Sequence, residues 1–227
     1  PALALGIISS VSGSVLAGVF SVSAALTMLA WRGGSIEGYL WRFPPGGYAA
    51  LIVEMMVWTV GLATVIASIQ LLRPILRSRW PALALGKPGD DDMQMKLPTT
   101  LAALAGLISA LVGGLLAYFL LRTGDRGQVI VSLLLAFTVG GFAAQTILPQ
   151  SNPVGVLLSP ALVALVAYGW VLYPGGGPDE RLAFASQRLW GLALALPIHY
   201  ASAAVAGCAM GMGWAGSLET PRGNRAT

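Results

Sequence analysis

The chain has 227 residues, of which 56% are hydrophobic and only 10% are charged, and its mean hydropathy is +0.76. A water-soluble domain needs far more polar surface than this, so the soluble classes are excluded. Backbone amides must be paired inside hydrocarbon, and the apolar runs are continuous rather than alternating, which predicts an all-α membrane protein. The net charge of +4 comes from Lys and Arg residues scattered over short loops; this distribution is typical of membrane anchoring and predicts no nucleic-acid partner.

Six apolar segments are long enough to cross a hydrocarbon core of about 30 Å, which takes roughly 20 helical residues. In chain order they are residues 3–31, 48–72, 100–121, 129–148, 153–173 and 189–214. The first exceeds the required length, which predicts a tilted helix or one that extends beyond the membrane. Asn152 before Pro153 predicts the start of the fifth helix, because asparagine caps helices and proline suits the first helical position. We therefore predict one polytopic transmembrane helical bundle, a single domain over residues 1–227.

The one sizeable predicted loop, residues 73–98, carries more basic residues than any other loop. These residues flank a short acidic run: Arg73, Arg77, Arg79, Lys87 and Lys96 surround Asp90, Asp91 and Asp92. By the positive-inside rule the loop is cytoplasmic, so a six-helix chain has both termini inside. The three aspartates are interpreted as a solvated turn rather than a cation site. We expect the protein to lie in a bacterial inner (cytoplasmic) membrane.

Small residues at four-residue spacing predict helix-packing faces, because helices in lipid associate through close backbone approach. Such residues occur in the third, fourth and sixth predicted helices; the principal ones are Gly106, Ala110, Gly114, Ala136, Gly140, Gly207 and Gly211. We therefore expect a tight bundle, with membrane lipids and other integral membrane subunits as its partners.

Two ionisable residues, Glu54 and His199, lie within predicted hydrocarbon-spanning segments. Charges there are costly, so each residue is a candidate for function. The two side chains are expected at similar depth, where mutual pairing would bury both. For Glu54 the alternatives are a proton or cation site and a carboxyl group hydrogen-bonded within the bundle or to a neighbouring subunit. For His199 the alternative is an imidazole hydrogen-bonded to Glu54, to the adjacent Tyr200 or to a carbonyl. No metal-ligand spacing is present, and the single cysteine, Cys208, has no disulfide partner in the chain.

Pro197 precedes His199 by two residues and is expected to free the carbonyl of Ala193, bending the sixth helix beside the imidazole. The spacing of Ala195 and His199 resembles the Ala-x-x-x-His arrangement of light-harvesting antenna helices. That resemblance implies that a flat haem or chlorophyll-type pigment could lie against the helix, with His199 as axial ligand. A second ligand for an enclosed haem would come from a methionine or another chain. The main expectation is nevertheless that no cofactor is bound.

Catalytic motifs are absent from the predicted helices. Six helices with a histidine on the last are similar to rhomboid proteases, whose nucleophile lies in a Gly-x-Ser-Gly motif on the fourth helix, but the fourth predicted helix here contains no such motif. We therefore predict a non-catalytic integral subunit of a respiratory or photosynthetic membrane complex. Two alternatives stay open: a small proton-coupled transporter or channel using Glu54 and His199, and a tetrapyrrole-binding subunit using His199.

Overall fold

The computed structural model describes residues 14–42, 47–79, 100–149, 152–173 and 190–219, and all regular structure in these ranges is helical. Its first six helices are α1 (Val15–Arg32), α2 (Ile36–Arg42), α3 (Gly47–Arg79), α4 (Thr100–Leu120), α5 (Arg126–Ile147) and α6 (Pro153–Leu172). The last element begins with a 3-10 turn and continues as α7 (Pro197–His199), a π-helical turn (Tyr200–Ala204) and α8 (Val205–Glu219). Five of the helices are long and apolar enough to cross a membrane. The predicted all-α transmembrane bundle is confirmed.

Two predicted boundaries are wrong at the ends of long helices. The first helix was expected from residue 3, but α1 begins at Val15. Ser14 has an extended backbone and caps the helix, because its hydroxyl oxygen accepts a hydrogen bond from the Ala17 amide. Residues 1–13 lie outside the described residues. The loop expected at residues 73–98 begins later, because α3 continues to Arg79. Pro74 within this extension is exposed, so its missing backbone hydrogen bond faces solvent rather than a packed neighbour. Residues 80–99, including the three aspartates, lie outside the described residues.

The short helix α2 was not predicted, since seven residues are too few to give a strong periodic signal. It buries Ile36 and Leu40 against the bundle and leaves Glu37 and Arg42 exposed. This arrangement suits a helix that lies at the membrane surface, with its apolar side on the protein. It connects the end of α1 to the region where α3 begins.

The last element lies at the centre of the bundle. Nearly every residue from 195 to 212 is buried, and half of these residues are alanine, glycine or serine. The element packs chiefly against α5 and also against α1, while α4 packs on α5 and α6, and α3 packs on α6. Small side chains at the centre therefore allow the surrounding helices to approach closely.

Glycines form the closest helix contacts. A methyl group at Gly207 would overlap the carbonyl oxygen of Leu134 on α5, and one at Gly211 would overlap that of Thr138. Of the other predicted packing residues, Ala110 and Ala136 are buried. Gly106 and Gly140 lie against the backbone of a neighbouring helix, at Gly155 and at Ser109 and Gly113 respectively. Gly114 lies against the side chain of Val163. Except at Gly114, any side chain at these glycines would meet backbone atoms of the neighbouring helix and push the two helices apart.

Candidate functional site

The last element is not the continuous helix expected over residues 189–214, and it is not among the five described helices that are long and apolar enough to cross a membrane. Gly191–Leu194 form a 3-10 turn, Ala195 and Leu196 are extended, and Pro197 is the first residue of α7. Proline has no backbone amide to donate, and its ring drives the preceding residue out of the helical region. Pro197 therefore starts a helix here instead of bending one, and the expected kink is corrected to a complete break.

Three completely buried tyrosines bind the carbonyl groups that the break leaves unpaired. The hydroxyl groups of Tyr48, Tyr168 and Tyr200 donate to the carbonyl oxygens of Ala193, Ala195 and Leu192, at 3.0, 2.6 and 2.8 Å respectively. The rings also contact one another edge to face or tilted, with Tyr168 between the other two. Irregular backbone at membrane depth is tolerated only where its polar groups are satisfied within protein, and the tyrosine cluster meets this requirement. The Ala193 carbonyl, expected to be free, is thus bonded.

His199 lies directly below the break and is only 2% exposed. Its Nδ1 accepts a hydrogen bond from the Leu196 amide at 3.1 Å, so the imidazole caps the start of its own helix. An accepting Nδ1 places the proton of the neutral ring on Nε2. Nε2 completes no hydrogen bond in the described part of the chain, although the carbonyl of Ala30 on α1 lies nearby. His199 therefore bonds to neither Glu54 nor Tyr200 in the described residues; the bond it forms is with the Leu196 amide, and the Ala30 carbonyl is the carbonyl near its other nitrogen.

Glu54 does not pair with His199. The Glu54 Oε1 atom accepts a hydrogen bond from the indole of Trp58, one turn along α3, at 3.2 Å. The carboxylate is half-buried at the edge of the α3 surface, next to the exposed side chains of Val53 and Val57. The rotation of α3 about its axis thus places Glu54 at the boundary of the bundle, whereas His199 is enclosed within it.

The geometry around His199 also bears on the pigment prediction. Ala195 is extended and Ala203 lies in the π-helical turn, so the regular helix that the antenna resemblance implies is not formed on either side of His199. Both alanines are completely buried by protein. Binding of a haem or chlorophyll-type pigment stays a prediction, which the visible absorption spectrum of protein purified from its native membrane tests.

A second polar cluster, which the sequence analysis missed, joins α4, α6 and α8. The Ser159 hydroxyl oxygen lies 2.9 Å from that of Ser109, and the Cys208 sulfur lies 3.8 and 3.9 Å from the same two oxygens. All three side chains are buried. Each residue is isolated in an apolar stretch, so only the three-dimensional packing reveals the cluster; its contacts are of the kind that hold membrane helices together.

Comparison with protein-family models, with curated proteins and with solved structures found no match to this chain. Within the described ranges, no three His, Cys, Asp or Glu residues come together as a metal site. The features that bear on function are therefore the broken last helix, the Glu54 carboxylate and the surfaces that the helices turn outward.

Proposed function

We propose that the chain is a non-catalytic integral subunit of a larger membrane complex, of the respiratory or photosynthetic kind, in a bacterial cytoplasmic membrane. It supplies helix-packing and lipid-contact surface to that complex. The observation that carries the proposal is the exposure of α3. Only 22% of an 18-residue apolar window of α3 is buried within the chain, the lowest share among the five candidate spanning helices.

The chemistry of the exposed surfaces supports this assignment. The outward face of α4 carries leucines at positions 101, 104, 107, 111 and 115, with the exposed aromatic residues Tyr118 and Phe119 near its end. Long flexible leucine side chains suit contact with lipid tails. From residue 49 to residue 67 the outward face of α3 carries valine, alanine, glycine and threonine and one methionine, Met56, with Glu54 at its edge; exposed leucine and isoleucine follow only from Leu71 onward. Such small and stiff residues favour contact with another helix, because they allow close backbone approach.

The interior of the bundle gives further support. The carbonyls at the helix break bond to tyrosines of the same chain, and Ser109, Ser159 and Cys208 contact one another. Polar groups thus hold the bundle together internally, which is the role expected of a structural subunit. The exposed α3 surface is therefore where we expect the chain to contact other membrane subunits.

The test is isolation of the affinity-tagged chain from its native membrane in mild detergent, followed by native electrophoresis and mass spectrometry of the bands. We expect a defined set of other integral membrane proteins in stoichiometric amounts. Recovery of the chain only as a monomer or homo-oligomer would overturn the proposal. A control chain of similar size, tagged and expressed in the same membrane, separates specific partners from abundant contaminants.

A second candidate is a proton-coupled transporter or channel that uses Glu54 and His199. The observation favouring it is the discontinuous last helix, since broken helices form the substrate sites of many transporters. If the chain is such a transporter, we expect Glu54→Gln to abolish a proton-coupled flux in reconstituted vesicles. The control Glu37→Gln, at the membrane surface, is expected to leave the flux intact. Absence of flux from the wild-type protein, or equal flux from Glu54→Gln, would reject the transport role.

A further inference from the structure

Glu54 lies within the apolar stretch of α3 that is long enough to cross a membrane. A helix rises about 1.5 Å per residue, so Glu54 is about 10 Å along the axis from Gly47 and about 27 Å from Leu72. The stretch Gly47–Leu72 has 26 residues, more than are needed to cross the membrane. A hydrocarbon core of about 30 Å centred on this stretch would put Glu54 about 6 Å inside its nearer boundary, where an unpaired carboxylate is costly.

The described residues leave this carboxylate without a cationic partner. Its one hydrogen bond comes from the neutral indole of Trp58 on the same helix. His199, the other ionisable group expected at this depth, is enclosed in the bundle and bonds to Leu196. A carboxylate half-exposed to lipid is costly, and a positive charge or a further hydrogen-bond donor beside it lowers that cost.

Glu54 also lies in a regular line of small residues along α3. Steps of four and three residues connect Ala50, Glu54, Val57, Gly61, Thr64 and Ser68, and each of them is exposed or half-exposed. Alternating steps of this kind are the seven-residue repeat of two helices that pack side by side. A methyl group at Gly61 would meet nothing within 4 Å, so the centre of this line is open to a neighbour. We call these six positions the α3 seam.

Charge complementarity selects the occupant of the α3 seam. A second copy of the chain, related by a two-fold axis along the membrane normal, would place the two Glu54 side chains opposite each other and repel. Lipid tails offer neither a cation nor a hydrogen-bond donor. A transmembrane helix bearing lysine or arginine at the depth of Glu54 satisfies the carboxylate and fills the open surface at Gly61.

We propose that the α3 seam binds a transmembrane helix of a different membrane subunit, and that Glu54 pairs with a lysine or arginine of that helix. This inference rests on the proposed role as a complex subunit and names the surface and the chemistry of the partner. Trp58 then acts as a positioning residue, because its indole holds one carboxylate oxygen while the other is left for the partner.

Photo-crosslinking in the native membrane tests the contact. A photoreactive amino acid replaces Val57 in the seam or, as the matched control, Leu107 on the leucine face of α4; both side chains are exposed. We expect position 57 to crosslink to one peptide of another integral protein, with a lysine or arginine within one helical turn of the crosslink. Position 107 is expected to crosslink to lipid.

Charge exchange tests the pairing. Polar pairs between membrane helices are worth about three-fold to thirty-fold in association, so Glu54→Gln is expected to lower recovery of the complex by about that factor. Glu54→Lys lowers it further, and lysine or arginine to glutamate in the partner, combined with Glu54→Lys, restores it. This rescue excludes misfolding of the Glu54 variants as the cause of the loss.

The results that would contradict this inference can be distinguished from those that would contradict the subunit role. An intact complex with Glu54→Lys, or crosslinks from position 57 only to lipid, would overturn this inference while leaving the subunit role in place. Crosslinks from position 57 to a second copy of the chain would overturn it as well, because the occupant would then be a homodimer partner. Isolation of the wild-type chain with no other protein would overturn the subunit role and this inference together.

Discussion

Replacement of Gly211 by alanine tests the close contact between α8 and α5. The methyl group of alanine would lie 2.6 Å from the amide nitrogen of Phe142 and closer still to the carbonyl oxygen of Thr138. Both atoms belong to the α5 backbone, which cannot rotate away as a side chain could. Ordinary contact needs at least about 3.4 Å, so the two helices must separate by about 1 Å along much of their length.

The expected cost follows from this separation. Forcing one extra carbon into a well-packed interior costs about 1–3 kcal/mol. Alanine is otherwise the better helix former by about 0.5–1 kcal/mol, which partly offsets the loss. Gly213→Ala is the matched control, because Gly213 lies on the same helix and its methyl group would meet nothing within 4 Å. The difference between the two variants therefore isolates the packing cost, about 1–3 kcal/mol in favour of Gly213→Ala.

The assay is unfolding of the purified protein by sodium dodecyl sulfate in mixed micelles, followed by circular dichroism. We expect the Gly211→Ala transition at lower detergent fraction than the wild type, and that of Gly213→Ala at the same fraction or higher. Equal midpoints for the two variants would refute the close contact at Gly211.

Three further changes probe the broken helix and the polar cluster. Tyr168→Phe leaves a buried carbonyl unpaired, so we expect a loss of about 1–3 kcal/mol in the same unfolding assay; the exposed Tyr118 provides the control, and equal effects of Tyr118→Phe and Tyr168→Phe would contradict the bond. His199→Leu removes the helix cap and is expected to lower the free energy of unfolding by about 1–3 kcal/mol. His199→Asn keeps a hydrogen-bond acceptor near the same place, so we expect a smaller loss of stability. Equal losses from the two variants would argue against the capping role. The buried Cys208 is expected to resist maleimide in the folded protein, while a cysteine introduced at the exposed Gly213 reacts; rapid labelling of Cys208 would show that the cluster is open.

The spanning helices with clear local signals could be predicted closely from the sequence. The α6 helix begins at Pro153 as expected, because the Asn152 side chain accepts the Val154 amide and fixes the start locally. The α4 helix ends one residue before its predicted end, since the polar residues that follow mark the membrane boundary. The length, hydropathy and capping of a helix depend on residues that are close together in the sequence, which is why these helix boundaries could be predicted accurately.

The break in the last helix could not be predicted in the same way. Proline within an apolar stretch is compatible with a kink or with a new helix start, and the choice depends on whether the freed carbonyls find partners. One of those partners, Tyr48, is 145 residues away from Ala193 in the chain. The predicted pairing of Glu54 and His199 is wrong for a related reason. Depth in the membrane can be estimated from the sequence, but the rotation of α3 and of α7 about their axes is set by tertiary packing.

The contrast between the broken helix and the α3 seam indicates where a partner is needed. At the break, unpaired carbonyls in the middle of the protein each receive a tyrosine hydroxyl from the same chain. At the edge of α3, a carboxylate of higher solvation cost receives only one neutral indole. The carbonyls of Ala193, Ala195 and Leu192 are thus satisfied within the chain, whereas the described residues supply Glu54 with one donor only. The remaining acceptor capacity at Glu54 is therefore best explained by a donor that another subunit brings.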